Sequence, residues 1–328
     1  MNKILIIQTA FLGDVVLATS LIEKLARCYP TCELHFLLRS GNQHILDLHP
    51  KLTKVWVWDK KHKYSQLFSI IGKLRSERFD LTINLQRFTS SGLFTVLSGA
   101  RETRGFKKNP LSLFFSKTVE HRISTSGDEH EIKRNHKLIE DITDLKVERP
   151  KLYPSQDHYE RIKEYIVDKY ITIAPASVWY TKQWPKKKWI ELINDLSLGF
   201  HIYLIGAPGD SGLCNEIIDE SKKDLVINLA GKLSPLESVA LIKYATMNFV
   251  NDSAPLHFAS AVNAPVTAVF CSTVSNFGFG PLSDNAAVVE VQQPLSCRPC
   301  GLHGHRACPE GHFKCALNIS TDQMIQSL

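Results

Sequence analysis

Long apolar runs are missing from this chain of 328 residues, and so are two glycine-rich nucleotide-binding motifs. No apolar run approaches the roughly 20 residues that span a bilayer, so the sequence offers no candidate membrane span. The G-x-G-x-x-G fingerprint of dinucleotide-binding enzymes and the G-x-x-x-x-G-K-[ST] loop of P-loop NTPases are both absent. These absences argue against a nicotinamide-dependent enzyme and against a P-loop NTPase.

The composition predicts a soluble globular protein with two domains. Hydrophobic residues make up 44% of the chain and charged residues 22%, which is enough apolar material for packed cores. Lysine and arginine exceed aspartate and glutamate by 39 − 33 = +6. This modest excess favours an anionic partner, but it is too small to indicate nucleic acid, and we expect none.

The amino-terminal segment could be read as a signal peptide or as a buried strand. Lys3 precedes an apolar stretch, but Gln8, Thr9 and Asp14 interrupt it, and no small-residue cleavage site follows. We interpret the segment as a first buried strand and expect a cytoplasmic protein.

Short apolar runs alternate with helical patterns in two series, which predicts an α/β fold with parallel sheets covered on both faces. The first series lies in a domain of residues 1–154 and the second in a domain of residues 155–328, separated by a proline-containing linker. The predicted strands are Lys3–Gln8, Glu33–Leu38, Val55–Trp58 and Asp80–Leu85, then Tyr170–Ala174, Phe200–Ile205, Leu225–Asn228, Met247–Val250 and Val266–Phe270. Two similar doubly wound domains would face each other across a ligand cleft.

Residues 100–154 are harder to interpret because their composition turns polar and basic. The pattern predicts a helix over His130–Leu145. Arg101, Arg104, Lys107 and Lys108 cluster upstream of it. They could bind carboxylates or phosphates of an anionic ligand, or form a solvated basic loop.

Asp14 follows the first predicted strand, at the end of the segment Q-T-A-F-L-G-D. One interpretation makes it a helix cap. The other makes it a carboxylate at the mouth of the cleft, where it could accept a proton from a substrate hydroxyl. The pattern leaves both open.

Three loops of the second domain also follow predicted strands. Ser177 and Lys182 lie in the loop before Pro185, and their hydroxyl and ammonium groups suit an anion. The alternative is a solvated loop in which Trp179 and Trp184 only pack. Asp210 ends G-A-P-G-D and could accept hydrogen bonds from ribose or form a simple turn. Asp252, Ser253, Ala254 and His257 lie where a strand meets a helix, a position that suits a pyrophosphate.

Four cysteines lie close together near the carboxyl terminus, with histidines between them. The density of Cys297, Cys300, Cys308 and Cys315 is similar to that of a structural zinc site, although the second pair lacks C-x-x-C spacing. Reduced thiols that only pack or oxidise are the alternative.

Taken in order, these segments resemble glycosyltransferase family nine, the heptosyltransferases of lipopolysaccharide core assembly. The shared segments are L-G-D at 12–14, K-x-W-P at 182–185, G-A-P-x-D at 206–210, L-A-G-K-x-S-x-x-E at 229–237, N-D-S-x-x-x-H at 251–257 and C-x-P-C … C-P-x-G-H-x-x-C at 297–315. The resemblance spans nearly the whole chain and is weakest over residues 60–154. Ala254 departs from it, since a glycine is common at that position.

The resemblance implies a GT-B fold and an inverting, metal-independent transfer of heptose from ADP-heptose to a Kdo–lipid A type acceptor. It implies that Asp14 is the catalytic base, that Ser177 and Lys182 contact the donor phosphates, and that Asp210 lies near the ribose. Asp252, Ser253, Ala254 and His257 would surround the diphosphate and sugar, and the basic cluster at 101–108 would meet the anionic acceptor. A lipid-linked acceptor would bring the enzyme to the inner leaflet of the inner membrane as a peripheral protein.

Two other functions remain open at this point. One is a GT-B transferase that uses another nucleotide sugar for a different surface glycan. The other is a non-catalytic nucleotide- or RNA-binding α/β protein, against which the small basic excess and the absence of an aromatic–basic RNA motif both argue.

Overall fold

The computed structural model describes residues 1–127, 129–196, 199–326 and 328, without the side chains of residues 62–65. The chain divides into two compact units. Unit 1 comprises Met1–Ile123 and Glu131–Tyr153, and unit 2 comprises Ser124–His130 and Pro154–Leu328. The sequence predicted that the chain passes from the first domain to the second once, between residues 154 and 155. It did not predict that Ser124–His130 would join unit 2 before the chain returns to unit 1.

Unit 1 is a parallel sheet of six strands with helices between them. Its first strand, K-I-L-I-I, is apolar and four of its five residues are buried, as expected of a strand covered on both faces. In chain order the elements are β1 (Lys3–Ile7), α1 (Leu12–Cys28), β2 (Glu33–Arg39), β3 (Lys54–Trp58), α2 (Lys63–Glu77), β4 (Leu81–Asn84), α3 (Thr89–Leu97), β5 (Glu102–Phe106), β6 (Lys117–Val119) and α4 (Glu131–His136).

Unit 2 repeats this architecture. A buried core of strand and helix side chains includes the perpendicular pair Trp184 and Trp189, whose ring centroids are 5.0 Å apart. The elements are α5 (Gln156–Arg161), β7 (Tyr170–Ala174), α6 (Lys186–Asp195), β8 (His201–Leu204), α7 (Ser211–Glu220), β9 (Val226–Asn228), α8 (Pro235–Tyr244), β10 (Met247–Asn251), α9 (Ala254–Ala261), β11 (Val266–Phe270), β12 (Ala286–Glu290), α10 (Lys314–Leu317) and α11 (Thr321–Ile325).

Both sheets have the same strand order. In unit 1 the order is β3-β2-β1-β4-β5-β6, and in unit 2, read from the other edge, it is β9-β8-β7-β10-β11-β12. All pairings are parallel. This is the doubly wound order of Rossmann-like domains, which confirms the predicted fold class.

The predicted helix over His130–Leu145 is wrong in its length, because α4 ends at His136. After that residue the backbone continues in tighter turns, with the amide of Ile139 bonded to the carbonyl of His136. The carbonyl of Leu138 instead accepts a hydrogen bond from the Arg104 guanidinium at 3.0 Å. A tertiary contact therefore replaces a further turn of helix. The sequence analysis also missed β5, β6 and α3 in unit 1, and α5, β12, α10 and α11 in unit 2.

Candidate active site

The strand order places a ligand crevice in each unit. In open α/β sheets, ligands bind beyond the carboxyl ends of the strands, at the point where the strand order reverses. In unit 1 that point lies between β1 and β4, and in unit 2 between β7 and β10. The loop and helix after β1 carry Asp14, while those after β7 and β10 carry Lys182 and Asp252.

Asp14 lies in the first turn of α1 and is half-buried. The residue that caps this helix is Phe11, three positions earlier, and its own side chain makes no capping hydrogen bond. The capping interpretation of Asp14 is therefore wrong. Its carboxylate still lies at the positive end of the helix dipole, where an ionised carboxylate is stabilised.

Arg39 lies near Asp14, and Lys60 contacts the loop that precedes α1; sequence reasoning missed both. Arg39 ends β2 and its guanidinium lies 4.9 Å from the centre of the Phe11 ring. Burial lowers the pKa of Arg39, and the nearby Asp14 carboxylate opposes that shift. The Lys60 ammonium donates to the Thr9 carbonyl oxygen at 3.0 Å. Both cations follow strands that the sequence predicted, so their strand-end positions were the available signal.

Uncharged amides line the same edge of the sheet. The Gln86 side chain donates to Gln8, and the Asn109 amide donates at 3.1 Å to the Gln86 carbonyl. The Asn84 side-chain nitrogen and the Gln86 side-chain oxygen are buried without a hydrogen-bond partner among the described residues. Buried polar atoms normally have partners, so this edge retains hydrogen-bonding capacity.

The predicted basic cluster at 101–108 is divided by β5, and half of it cannot form the acceptor site. Arg101 precedes β5, at the amino edge of the sheet, where it lies 3.4 Å from Asp80. Arg104 is 2% exposed, and its guanidinium contacts Glu102 at 2.6 Å and Asp141 at 2.5 Å. These two assignments are corrected: Arg101 is at the wrong edge and Arg104 is a buried structural group.

Lys107 and Lys108 follow β5, so they lie at the carboxyl edge of the sheet, and both are exposed. The turn after them is held by the Ser112 hydroxyl, which donates to the Lys107 carbonyl at 2.9 Å. Leu113 and Phe114 project from that turn and are 92% and 68% exposed. Two lysines and two large apolar side chains thus share one exposed turn.

In unit 2, Lys182 and Asp252 form an ion pair with 2.6 Å between Nζ and Oδ2. Their side chains are 16% and 8% exposed, so the pair is largely shielded from water. The same carboxylate oxygen accepts from the Thr273 hydroxyl at 2.7 Å. The Asp252 carboxylate therefore holds the Lys182 ammonium in place, and a ligand anion that reaches this ammonium must share it with the carboxylate.

Asn251, the last residue of β10, holds the loop that carries Lys182. Its side-chain oxygen accepts from the Trp184 amide at 2.8 Å, and its nitrogen donates to the Pro175 carbonyl at 2.8 Å. Ser177 lies half-buried between those two points, and its carbonyl accepts from Gln183 at 2.6 Å. The loop is thus attached to the central strand at both ends, and the sequence did not predict this role for Asn251.

Ser253, Ala254 and His257 lie at the start of α9. Ser253 caps the helix by its backbone position alone, since its side chain makes no capping bond. His257 is 6% exposed, and its Nδ1 atom has no hydrogen-bond partner among the described residues. Burial lowers the pKa of His257 to about 4. In the ligand-free site the imidazole is therefore neutral near pH 7, and its unpaired Nδ1 atom is available for a hydrogen bond to a phosphate.

Asp210 lies half-buried after β8, on the neighbouring loop. One of its carboxylate oxygens accepts from the Ala207 amide at 2.8 Å, which matches the turn interpretation. Gly231 packs against this loop and has a positive φ of 77°. A Cβ at Gly231 would lie 2.7 Å from the Pro208 Cα, so only glycine fits there.

The four cysteines are not arranged as a metal site, so the zinc prediction is corrected. Among the described residues, no group of three or more histidine, cysteine, aspartate or glutamate side chains is placed to hold a metal ion. The Cys300 thiol donates to the Cys297 carbonyl at 3.0 Å. Burial raises the pKa of the Cys315 thiol to about 11, and this residue packs in the apolar core of unit 2.

The two units offer different chemistry. Unit 1 offers a carboxylate at a helix start with cations and amides around it. Unit 2 offers a shielded ammonium, a helix start and a neutral imidazole, which together suit a diphosphate. No helix among the described residues combines the length and hydropathy needed to cross a membrane.

Comparison with known proteins relates this arrangement to one enzyme family. Lipopolysaccharide heptosyltransferase 3 of Escherichia coli is 28% identical over 290 residues, covering 84% of this chain and 85% of the relative. The structure of E. coli ADP-heptose LPS heptosyltransferase II superposes with a TM-score of 0.80 at 20% identity, covering 99% and 97% of the two chains. E. coli heptosyltransferase WaaC with ADP-2-deoxy-2-fluoro heptose gives a TM-score of 0.71 at 18% identity, covering 99% and 98%.

These structures share the two-sheet α/β architecture of the GT-B fold with this chain. The sequence model of the family described as glycosyltransferase family 9 (heptosyltransferase) matches residues 67–310, well over half of the chain. The chain therefore belongs to glycosyltransferase family 9.

Proposed function

We propose that this enzyme transfers heptose from ADP-heptose to the inner core of lipopolysaccharide, on a Kdo–lipid A type acceptor, with inversion and without a metal ion. The observation that carries the proposal is the shielded Lys182–Asp252 pair at the β7/β10 switch point, beside the start of α9. Relatives named as lipopolysaccharide heptosyltransferases, and a structural neighbour with an ADP-heptose analogue, support the choice of sugar and acceptor.

The reaction balances as a single displacement. An acceptor hydroxyl oxygen bonds to the anomeric carbon while the bond from that carbon to the ADP phosphate oxygen breaks. The hydroxyl proton passes to the Asp14 carboxylate. General-base catalysis of this kind contributes about 10² to 10⁴-fold, and attack from the face opposite ADP inverts the anomeric centre.

Charge that develops on the departing diphosphate needs a preorganised positive partner. Lys182 supplies an ammonium, and the first amides of α9 supply aligned dipoles. His257 would donate a hydrogen bond to the diphosphate. In this proposal these groups replace the divalent cation that other sugar-nucleotide enzymes use, Ser177 meets a phosphate, and Asp210 meets the ribose with its second oxygen.

The acceptor is placed at the carboxyl edge of the unit 1 sheet, next to Asp14. Arg39 and Lys60 replace Arg101 and Arg104 as the cations for its carboxylates or phosphates. In the buried amides of Asn84 and Gln86, the unpartnered Asn84 nitrogen is suited to donate to a sugar hydroxyl and the unpartnered Gln86 oxygen to accept from one. Lys107 and Lys108 lie at the same edge and remain part of the proposed acceptor region.

We place the enzyme in the cytoplasm, in peripheral contact with the inner membrane, through the turn that carries Leu113 and Phe114. Large apolar side chains held in water beside two lysines suit the boundary between anionic headgroups and acyl chains. The Asn109 side chain anchors this turn by donating to the Phe88 carbonyl at 3.1 Å, so the two side chains are presented on a fixed backbone.

Changing Leu113 and Phe114 together to serine is expected to weaken binding to phosphatidylglycerol vesicles by about tenfold, because two buried apolar contacts are lost. Cosedimentation measures this. Leu145→Ser is the matched control, because Leu145 is also an exposed apolar residue, with 83% of its surface accessible. Its neighbour Asp144 pairs with Arg27 at the carboxyl end of α1, so Leu145 lies by the amino edge of the sheet, away from the Leu113–Phe114 turn. Equal binding of all three proteins would contradict the proposed contact.

The function is tested by ADP release from purified protein with ADP-heptose, with and without Kdo–lipid A, in the presence of EDTA. We expect release that depends on the acceptor and is unaffected by EDTA. Loss of release in EDTA, with recovery on adding a divalent cation, would contradict the metal-independent mechanism.

The same assay separates the alternative functions. Release from a different nucleotide sugar but not from ADP-heptose would identify a family 9 transferase for another glycan. ADP binding without release from any donor tested would point to other sugars or acceptors, and absence of both would contradict the nucleotide-sugar function.

A further inference from the structure

The cysteine-rich tail has no metal site among its described residues, yet its backbone contacts the loop that carries Lys182. The His305 amide donates to the Thr181 hydroxyl at 2.7 Å, and the Thr181 amide donates back to the His305 carbonyl at 3.1 Å. Thr181 is 1% exposed and immediately precedes Lys182. The tail therefore fixes the backbone from which the ammonium projects.

Ser272, just beyond β11, joins the same contact. Its hydroxyl donates to the Thr181 hydroxyl at 3.0 Å and its amide donates to the Thr181 carbonyl at 3.2 Å. Its own carbonyl accepts from the Cys300 amide at 2.8 Å. Thr181 is thus held on every polar atom by two segments, one of which is the tail.

Gly304 allows the tail to approach this closely. Its φ is +75°, a conformation that disfavours other residues. A Cβ at this position would lie 2.9 Å from the Thr181 hydroxyl and 3.2 Å from the Lys182 Cγ. The backbone conformation therefore favours glycine, and a side chain here would crowd the Thr181 hydroxyl and the Lys182 side chain.

Arg298 makes the second connection from the tail, toward Asp252. Its side chain is 10% exposed. Its guanidinium donates to the carbonyls of Cys271 at 2.6 Å, Phe270 at 3.1 Å and Thr273 at 2.6 Å, and to the Glu290 carboxylate at 3.1 Å. One planar group thereby satisfies three carbonyls at the end of β11 and positions Thr273, whose hydroxyl binds Asp252.

We propose that residues 297–305 act as a clamp that holds Lys182 and Asp252 in the arrangement that receives the diphosphate, with Arg298 and Thr273 as positioning residues. The clamp acts through backbone amides, the Arg298 guanidinium and two hydroxyls. Its role in catalysis rests on the proposed function, although the mechanical connection from the tail to Thr181 and Thr273 does not.

The connection is tested first without any ligand, by hydrogen exchange. Arg298→Lys keeps the charge but lacks the planar fork that reaches three carbonyls. We expect faster exchange of amides at 180–183 and 271–274 in this variant. Arg306→Gln is the matched control, because Arg306 is exposed in the same tail. Unchanged exchange in Arg298→Lys would overturn the clamp even if the enzyme proved to use another donor.

The consequence for the site is tested with ADP, by calorimetry on the folded fraction. Thr273→Val removes only the hydroxyl that orients Asp252, and we expect ADP to bind about tenfold more weakly, with a fall in kcat. Thr273→Ser, which retains the hydroxyl, should restore both. A general loss of stability would lower the melting temperature without changing the dissociation constant of folded protein, so wild-type ADP affinity in Thr273→Val would overturn the positioning role.

The two hypotheses fail in different ways. If the wild-type protein does not bind ADP, the proposed function fails, and the clamp is then tested only by hydrogen exchange in Arg298→Lys. If the wild type binds ADP and turns over, but Thr273→Val and Gly304→Ala do so equally well, the clamp fails and the proposed function stands.

Discussion

Replacing Asp14 with asparagine is expected to lower turnover by roughly 10³-fold while leaving ADP binding unchanged. The amide has nearly the same shape but cannot accept the proton of the acceptor hydroxyl at neutral pH, and general-base catalysis accounts for about 10² to 10⁴-fold in rate. The donor groups lie in unit 2, so their affinity for ADP should not depend on this side chain. Steady-state ADP release and calorimetric titration with ADP measure the two quantities.

Asp47→Asn serves as the control for this experiment. Asp47 is a half-exposed carboxylate of the same unit that pairs with His44 on the surface at 2.8 Å, and its replacement should leave turnover unchanged. Turnover of Asp14→Asn within a few-fold of wild type would remove Asp14 from the mechanism. The position would then have to be explained by its place in the first turn of α1 alone.

The second large effect is expected from Lys182→Met, which should reduce kcat/KM by roughly 10² to 10³-fold and weaken ADP binding. The substitution removes the ammonium that balances charge on the leaving diphosphate, and a single preorganised electrostatic partner is worth about that much in other enzymes. Lys186→Met is the matched control. Lys186 lies four residues later and pairs with Glu216 and Glu220 at the surface, where such pairs contribute little.

A double variant separates the loss of stability from the loss of function. Lys182→Met leaves Asp252 buried without its counter-ion, which costs about 3 kcal/mol when a buried pair is broken from one side. Adding Asp252→Asn removes that charge and should recover the melting temperature without recovering activity. Recovery of activity in the double variant would show that Lys182 only neutralises Asp252.

In the 101–108 cluster, sequence reasoning could not tell which basic residues lie at the edge of the sheet that carries the candidate site. A five-residue strand is ~17 Å long, so β5 places Arg101 at one edge of the sheet and Lys107 at the other. Arg104, within the strand, points to a face that the turn at Leu138–Asp141 covers. Closeness in sequence was mistaken for closeness in space because β5 itself was not predicted.

The cysteine cluster was misinterpreted for a related reason. The spacing of cysteines along the chain indicates which of them could bind one metal ion. Whether their side chains come together depends on the path of the backbone. Here the tail is drawn toward Thr181 and Ser272 by hydrogen bonds of its main chain, and Cys315 is buried in the unit 2 core. The tail contacts the candidate site through the Arg298 side chain, the close approach of Gly304 and the main chain of Cys300 and His305. The metal hypothesis singled out cysteine side chains and assigned no role to these main-chain groups, to Arg298 or to Gly304.

The sequence by itself determined the fold class and the position of the main candidate groups along the chain. Short apolar runs followed by helical patterns specify parallel strands, because only such runs are compatible with a sheet covered on both faces. Polar residues in the segments that connect such a run to the next helix lie at the carboxyl edge of the sheet, and Asp14, Lys182 and Asp252 lie in or at the end of such segments.

Only the tertiary structure decided which of these groups meet and in what state. Lys182 and Asp252 are joined because β7 and β10 are neighbours in the sheet, and strand order is not written in local periodicity. The neutral state of His257 follows from its burial beneath other segments. The arrangement of Arg298, Thr273 and Thr181 likewise depends on long-range packing, because free energy of burial and hydrogen bonding is gained only when distant segments come together.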